Sequence, residues 1–320
     1  MVILMGIPSE PPLRLLAEAC VAKGVAFTLF NQRRQDNWRV AYDAFEPQRS
    51  RLCNGETDLR VADCAGLYLR TMEPSGVPEW AASDRREGTT GMFASLWQLL
   101  DDEATPLRIL NAPHVQMSNA SKPYQALAIR AQGLDIPDTC ISSDEDTVRD
   151  FLGRHAAVIY KSISGTRSIV KRVDEDSLAG LPKIRFCPVQ FQECVTGSNI
   201  RVHVVGQQLF ATRILSDAID YRYASQEGKH TALEPCELAD DVAEKCVRLA
   251  QSLHLPFAGI DLMATDDGRT ICFEVNPSPG YSYYEQHTGQ RISHALADHL
   301  AAGPVSPPSR AASSSAPASA

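Results

Sequence analysis

The residues of this chain best placed to do chemistry are Asp261, Glu274 and Asn276. Two β-rich runs flank Asp266-Asp267-Gly268, a combination that predicts a hairpin. A turn centred on Asp267 and Gly268 sets Asp261 directly opposite Glu274. Asn276 lies two residues further along and shares their face. Like charges opposed across a ladder repel, so a positive charge is expected between them. Oxygen-only ligands suit a hard cation, and Mg²⁺ held by carboxylates plus substrate phosphates fits that set. The plain alternative is an exposed hairpin whose acids face water.

Further candidates surround this trio. Lys161 ends an apolar strand and precedes Ser162-Ile-Ser-Gly165-Thr-Arg167, the arrangement of a fixed cation followed by N–H groups free to turn toward phosphate oxygens. Lys122 opens a predicted helix, where the dipole disfavours a cation and a bound anion would resolve the conflict. Arg201 and His203 share one strand face. Asp220-Tyr221-Arg222 lies in a polar loop. Each also has an ordinary reading as a surface residue. No G-x-x-x-x-G-K-[ST] or G-x-G-x-x-G run occurs, so Walker and Rossmann nucleotide sites are not supported. His294 and His299 are five apart and diverge on a helix, which argues against a zinc pair.

The elements that must position these residues can be read from periodicity. Val2–Met5, a helix over 11–23 and Val25–Phe30 form a β-α-β start, which implies a parallel sheet. Gly66–Arg70 and Arg108–Leu110 read as strands and Met92–Leu100 as a helix; Gln32–Leu59 is polar and resists assignment. Ser121 can cap a helix that Pro123 begins and Gly133 ends. A helix is expected near Asp144–Leu152. Strands are expected at Ala156–Lys161, Val189–Val195, Asn199–Val205 and Leu209–Ile214, with Gly206-Gln207 as a two-residue turn. Helices follow over Asp241–Leu253 and Arg291–Leu300. Beyond Gly303 the chain is Pro, Ser and Ala and is expected to be disordered.

Composition sets the outer bounds. The 320 residues carry a net charge of −8, which argues against a general nucleic-acid binder. No apolar run reaches the roughly 18 residues of a membrane span, and the start reads as a strand, not a signal peptide. The nine cysteines are scattered without a C-x-x-C pair. That pattern points to a reduced, cytoplasmic setting without structural zinc.

Taken in order, Gln192-Glu193-x-x-x-Gly197-x-Asn199-Ile-Arg201-Val, Gly259-Ile-Asp261-Leu and Phe273-Glu274-Val-Asn276-Pro resemble the ATP-grasp superfamily. They are most similar to the RimK-type branch of ribosomal-protein glutamate ligases and peptide-modifying ligases, over roughly residues 115–300. The resemblance implies an α/β protein, α+β within the grasp, with an N-terminal pre-ATP-grasp domain at 1–112. Two lobes at 113–190 and 191–302 would hold ATP between them, and 303–320 would be a tail. The cofactors implied are ATP and two Mg²⁺ ions, with Mn²⁺ as an alternative. Lys122, Lys161, Ser164 and Gly165 would meet phosphates. Gln192, Glu193, Cys194 and Val195 would form the adenine hinge, with Phe273 alongside and Asn199 near the ribose.

Asp261, Glu274 and Asn276 would hold the metal, and Arg222, Lys161 and Arg201 would be catalytic. Asn199 stands where the family often has aspartate, and the Ser162–Arg167 loop is less glycine-rich than in many relatives. Arg70, Thr71, Arg213, Tyr281 and Ser282 are candidates for gripping the organic substrate. The implied activity is ATP-dependent joining of a carboxylate to an amine through an acyl phosphate, on a small molecule or a peptide, with no nucleic-acid or membrane partner and with homo-oligomers common among relatives. A kinase on the same scaffold and a non-catalytic nucleotide-binding scaffold remain as alternatives.

Overall fold

The computed structural model describes residues 1–73, 76–81, 86–102, 105, 107–163, 170–216 and 231–303. The chain divides into two compact units, one of residues 1–8, 25–109 and 300–320, the other of residues 9–24 and 110–299.

The chain opens as β1 (Val2–Gly6), α1 (Pro11–Lys23) and β2 (Phe27–Asn31), with β1 and β2 parallel. The helix itself belongs to the second unit, unlike the single 1–112 domain expected from the sequence. The polar stretch that resisted assignment contains three short strands, β3 (Arg39–Ala41), β4 (Arg51–Cys53) and β5 (Asp58–Arg60), paired antiparallel in that order. Leu52 and Leu59 point inward between exposed Arg51, Asp58 and Arg60. Three residues give too little alternation to register as a pattern. β6 (Gly66–Arg70) follows, then α2 (Pro78–Ala81), α3 (Arg86–Leu100) and β7 (Arg108–Leu110). The main sheet has the order β2-β1-β6-β7. Its core joins Ile3, Met5, Leu67 and Leu69 to Phe93, Leu96 and Leu99 of α3.

The second unit continues through α4 (Pro113–Gln116), α5 (Lys122–Ala131), β8 (Thr139–Ser142), α6 (Glu145–Arg154), β9 (Val158–Ser162), β10 (Lys171–Arg172), α7 (Glu175–Ala179) and β11 (Val189–Glu193). Ser121 caps α5 by accepting the Tyr124 N–H, and Asp144 caps α6 through the Thr147 N–H, each satisfying an otherwise orphaned donor. These strands form a four-stranded sheet, β10-β9-β11-β8, packed on Val148 and Phe151 of α6.

A five-stranded sheet follows, β14-β13-β12-β15-β16. Its members are β12 (Gly197–Val205), β13 (Gln208–Ser216), β14 (Thr231–Cys236), β15 (Phe257–Thr265) and β16 (Thr270–Asn276), with α8 (Asp240–Ser252) before β15. Ile200, Val202, Val204, Ile260 and Leu262 turn one face toward Ile129 of α5 and Cys246, Leu249 and Leu253 at α8. The period of two then leaves Arg201, His203 and Asp261 on the other face. The chain closes with α9 (Ser282–Thr288) and α10 (Ile292–Ala301). Among the described residues no helix is long and apolar enough to cross a membrane. All nine cysteines are unpaired. The expected tail lies, from residue 304 on, outside the described residues.

Candidate active site

Strand register builds the centre of the site. Asp261 pairs directly with Glu274 on one side and with Arg201 on the other. One step along the same face, His203, Gly259 and Asn276 form a second row. The charge expected between the acids is supplied twice. Arg201 Nη1 donates to Asp261 Oδ1 at 2.6 Å, and Lys122 Nζ donates to Glu274 Oε2 at 2.7 Å. All four side chains are largely buried, so each charge depends on its partner. Burial alone would raise the Glu274 carboxyl. The charge and hydrogen bond of Lys122, the Asn276 amide and the charge of Lys161 instead hold it at about 2.

Gly259 makes this crowding possible. A Cβ there would fall on the Arg201 guanidinium and lie 2.6 Å from Pro279 Cβ. The bare backbone leaves the floor of the groove to Arg201, whose guanidinium also stands 5.8 Å over the Tyr284 ring.

Asn276 completes a set of donors that suits a hard cation. Its Nδ2 approaches Asp261 Oδ2 at 3.4 Å and Glu274 Oε1 at 3.3 Å, while its Oδ1 accepts from Asn119 Nδ2 at 3.2 Å. Asn119 Oδ1 is buried and has no partner among the described residues. Asp261, Glu274 and Asn276 thus converge on one small area with oxygen-bearing side chains of the kind that Mg²⁺ takes.

Beside this centre lies a small pocket. Its walls are Pro123 and Ala126 of α5, Ile136, Ile141, Cys272 and Phe273, with Lys122, Lys161 and Gln192 as polar groups. Apolar walls with a few converging polar groups are the lining a flat heterocycle favours. Lys161 stands opposite Gln190 in the ladder, and its Nζ donates to Gln192 Oε1 at 3.4 Å. Gln192 donates in turn to Thr139 Oγ1 at 3.0 Å.

At the expected hinge, the Glu193 and Cys194 N–H groups donate to Asp138 O and Ala157 O. The Glu193 carboxylate accepts the Asp138 N–H at 2.9 Å and pairs with Arg269 at 3.5 Å. Val195 follows in the link to β12, and Asn199 shares the Arg201 face of that strand.

The structure gathers Lys122, Lys161, Arg201, Gln192, Phe273, Asp261, Glu274 and Asn276. It separates others. Arg213 pairs with Ile200, so it faces the helix-covered side, away from Asp261. Tyr281 is fully buried, its hydroxyl on Pro12 O and its ring against Phe257; it is a packing residue and does not overhang the site. Ser282 is half-buried at the start of α9. Arg70 and Thr71 belong to the first unit, at and just after the end of β6. Arg222, Ser164 and Gly165 lie outside the described residues.

Sequence reasoning missed Gly259 as a space-maker, Asn119, Tyr284 and Gln125. Gln125 carried a usable signal, a polar residue on the buried side of α5 among Ile129 and other apolar neighbours.

A model of the RimK-like ATP-grasp domain matches residues 118–300. The fold and site thus define an ATP-grasp protein. The chain belongs to the RimK-like ATP-grasp family. It is 28% identical over 190 residues to a probable alpha-L-glutamate ligase of Xylella fastidiosa (strain M12), a match covering 55% of this chain and 61% of that relative. Among solved structures it is similar to the ATP-grasp ligase PsnB complexed with minimal precursor, at 25% identity and a TM-score of 0.78, covering 94% of this chain and 98% of that one. The same ligase complexed with minimal precursor, Mg and ADP matches at 26% identity and a TM-score of 0.74, over 94% and 96%.

Proposed function

We propose that the chain is an ATP-dependent carboxylate–amine ligase that forms an amide bond on an amino acid or a peptide and releases ADP and phosphate. One observation carries this reading. Two lysines from different elements, Lys122 and Lys161, act on the same end of an apolar pocket, where Glu274 meets Asp261 and Asn276. Fixed cations beside a hard-cation site, next to a slot for a heterocycle, are the parts that binding a nucleoside triphosphate requires.

In this reading ATP lies between the two sheets of the second unit, its base in the pocket against Phe273 and its ribose toward Asn199. Asp261, Glu274 and Asn276 hold Mg²⁺, with room in the reading for two ions or for Mn²⁺. The bound metal supplies charge neutralisation on the phosphates. Lys122 and Lys161 orient the phosphate chain. Arg201 holds Asp261 in place and presents its guanidinium to the groove beside Tyr284 and Gly280. Arg222 is proposed to meet the transferred phosphoryl group.

A carboxylate oxygen of the substrate attacks the γ-phosphorus and ADP leaves. An amine nitrogen then attacks the acyl carbon; phosphate departs and the amine gives up a proton. The protein's contribution is positioning and electrostatics, without a covalent nucleophile. The peptide as substrate class is supported by neighbours solved with precursor peptides, among them the ligase PsnB.

The test is a panel of free glutamate and acidic peptides incubated with ATP, Mg²⁺ and the purified protein. ADP and free phosphate should appear in equal amounts, only when carboxylate and amine are both present, with a product lighter by one water than its two components. A product that retains phosphate would refute the ligase assignment.

A further inference from the structure

Helix α5 reaches the metal end of the site through Lys122, at its first turn. One turn later the same helix makes a second, tighter attachment. The Gln125 carboxamide is buried, donates through Nε2 to Val275 O at 2.6 Å and accepts the Val275 N–H at Oε1 at 3.1 Å. Val275 sits between Glu274 and Asn276. Its peptide groups point outward from β16, which is the edge of the five-stranded sheet. The side chain thus does what a neighbouring strand would do, filling one donor and one acceptor with a planar group of matching spacing. Together these two hydrogen bonds fix both the height and the rotation of α5 against Val275, where a single bond would leave the helix free to pivot.

Residues three apart on a helix share a face. Fixing Gln125 on Val275 therefore fixes where Lys122 meets the neighbouring Glu274. We propose that Gln125 is a positioning residue for the phosphate and metal end of the site. It sets the register between α5 and β16 and so places Lys122 against Glu274 while holding the main chain between Glu274 and Asn276. The inference rests on the nucleotide reading above and adds to it a residue that touches neither nucleotide nor metal.

The test separates the two ends of the nucleotide. Binding of ADP with Mg²⁺ and of adenosine is measured by titration calorimetry for the wild type, Gln125→Met, Lys122→Met and the double variant. Gln125→Met keeps length and volume but offers Val275 neither bond. It should weaken ADP·Mg²⁺ by at least ~10-fold and adenosine by a clearly smaller factor, because α5 and β16 supply only part of the base pocket, whose other walls come from β8, β9 and β11. The double variant should lose less than the sum of the two single losses, since part of the effect of Gln125 runs through Lys122. Gln125→Glu, which can still accept the Val275 N–H, serves if the Met variant does not fold, and should show a smaller loss of the same kind. Equal losses for adenosine and ADP, or strictly additive losses in the double variant, would reduce Gln125 to a packing residue and overturn the proposal. A wild type that binds no ADP·Mg²⁺ would instead refute the nucleotide reading.

Discussion

Lys122 Nζ lies 2.7 Å from Glu274 Oε2, across 152 positions of sequence. The side chains are 14% and 22% exposed, so the pair is neither a surface bridge nor fully dry. A lysine at a helix start is electrostatically misplaced with respect to its own helix; Glu274 supplies the compensation. Lys122→Met should therefore destabilise the fold by roughly 3 kcal/mol, the low end for orphaning a buried charge. Adding Glu274→Gln should recover most of it. Urea denaturation of the two single variants and the double variant checks this, and additive losses would mean that the pair is not coupled.

Gly259 offers a test of geometry without any change of charge. Alanine there competes with the Arg201 guanidinium and Pro279 for one space. We expect overpacking to cost about 1–3 kcal/mol and turnover to fall by on the order of 10²-fold as Arg201 is pushed off Asp261. Wild-type turnover in Gly259→Ala would show that the position of Arg201 is not critical.

His203 predicts a pH dependence. It is fully buried, stacks edge-on to Tyr284 and donates through Nε2 to Gly280 O. Burial, reinforced by the Arg201 charge, pushes its pKa well below the usual histidine range, against the smaller opposite pull of Gly280 O. The folded state thus keeps it neutral where the unfolded chain takes up a proton. Stability from this residue is whole above the unfolded pKa of about 6.5 and declines as pH falls below it, by up to ~1.4 kcal/mol per unit. Unfolding free energies between about pH 7.5 and about pH 5 should converge for wild type and His203→Gln as pH falls. Parallel curves would mean that His203 titrates in the fold as it does in the unfolded chain.

The pairing of Asp261 with Glu274 was legible in the sequence, but for a reason only half right. The expected two-residue turn is in fact a three-residue loop, Asp266 to Gly268, closed by Thr265 N–H on Arg269 O, with Gly268 at φ +87°. Asp-Gly is compatible with both loops. The longer loop would have slid Asp261 opposite Phe273. A β-bulge between Asp261 and Leu262 absorbs the slip and restores Glu274. Nothing in Phe273 announces a bulge, since it is an ordinary strand residue.

Long apolar patterns, as in α8 and β12, were readable because their periods span several turns or alternations. Asn111 was not. It sits in what reads as a loop, yet its side chain joins both backbone groups of Phe257 to Pro277 O. Such contacts join residues more than 140 positions apart, and no local period encodes them. The helix α9 was hidden for a related reason: its seven residues carry only one buried side chain, Tyr284, too little for an apolar stripe.

The central claim is that Glu274, with Asp261 and Asn276, holds the metal through which this site binds a nucleotide's phosphates. ADP affinity, measured with and without Mg²⁺ for the wild type and Glu274→Gln, tests it most directly. Mg²⁺ should tighten ADP binding to the wild type by at least ~10-fold and change it little in Glu274→Gln, since the isosteric amide cannot supply the charge a divalent ion needs. An equal gain in both proteins, or none in the wild type, would contradict the assignment.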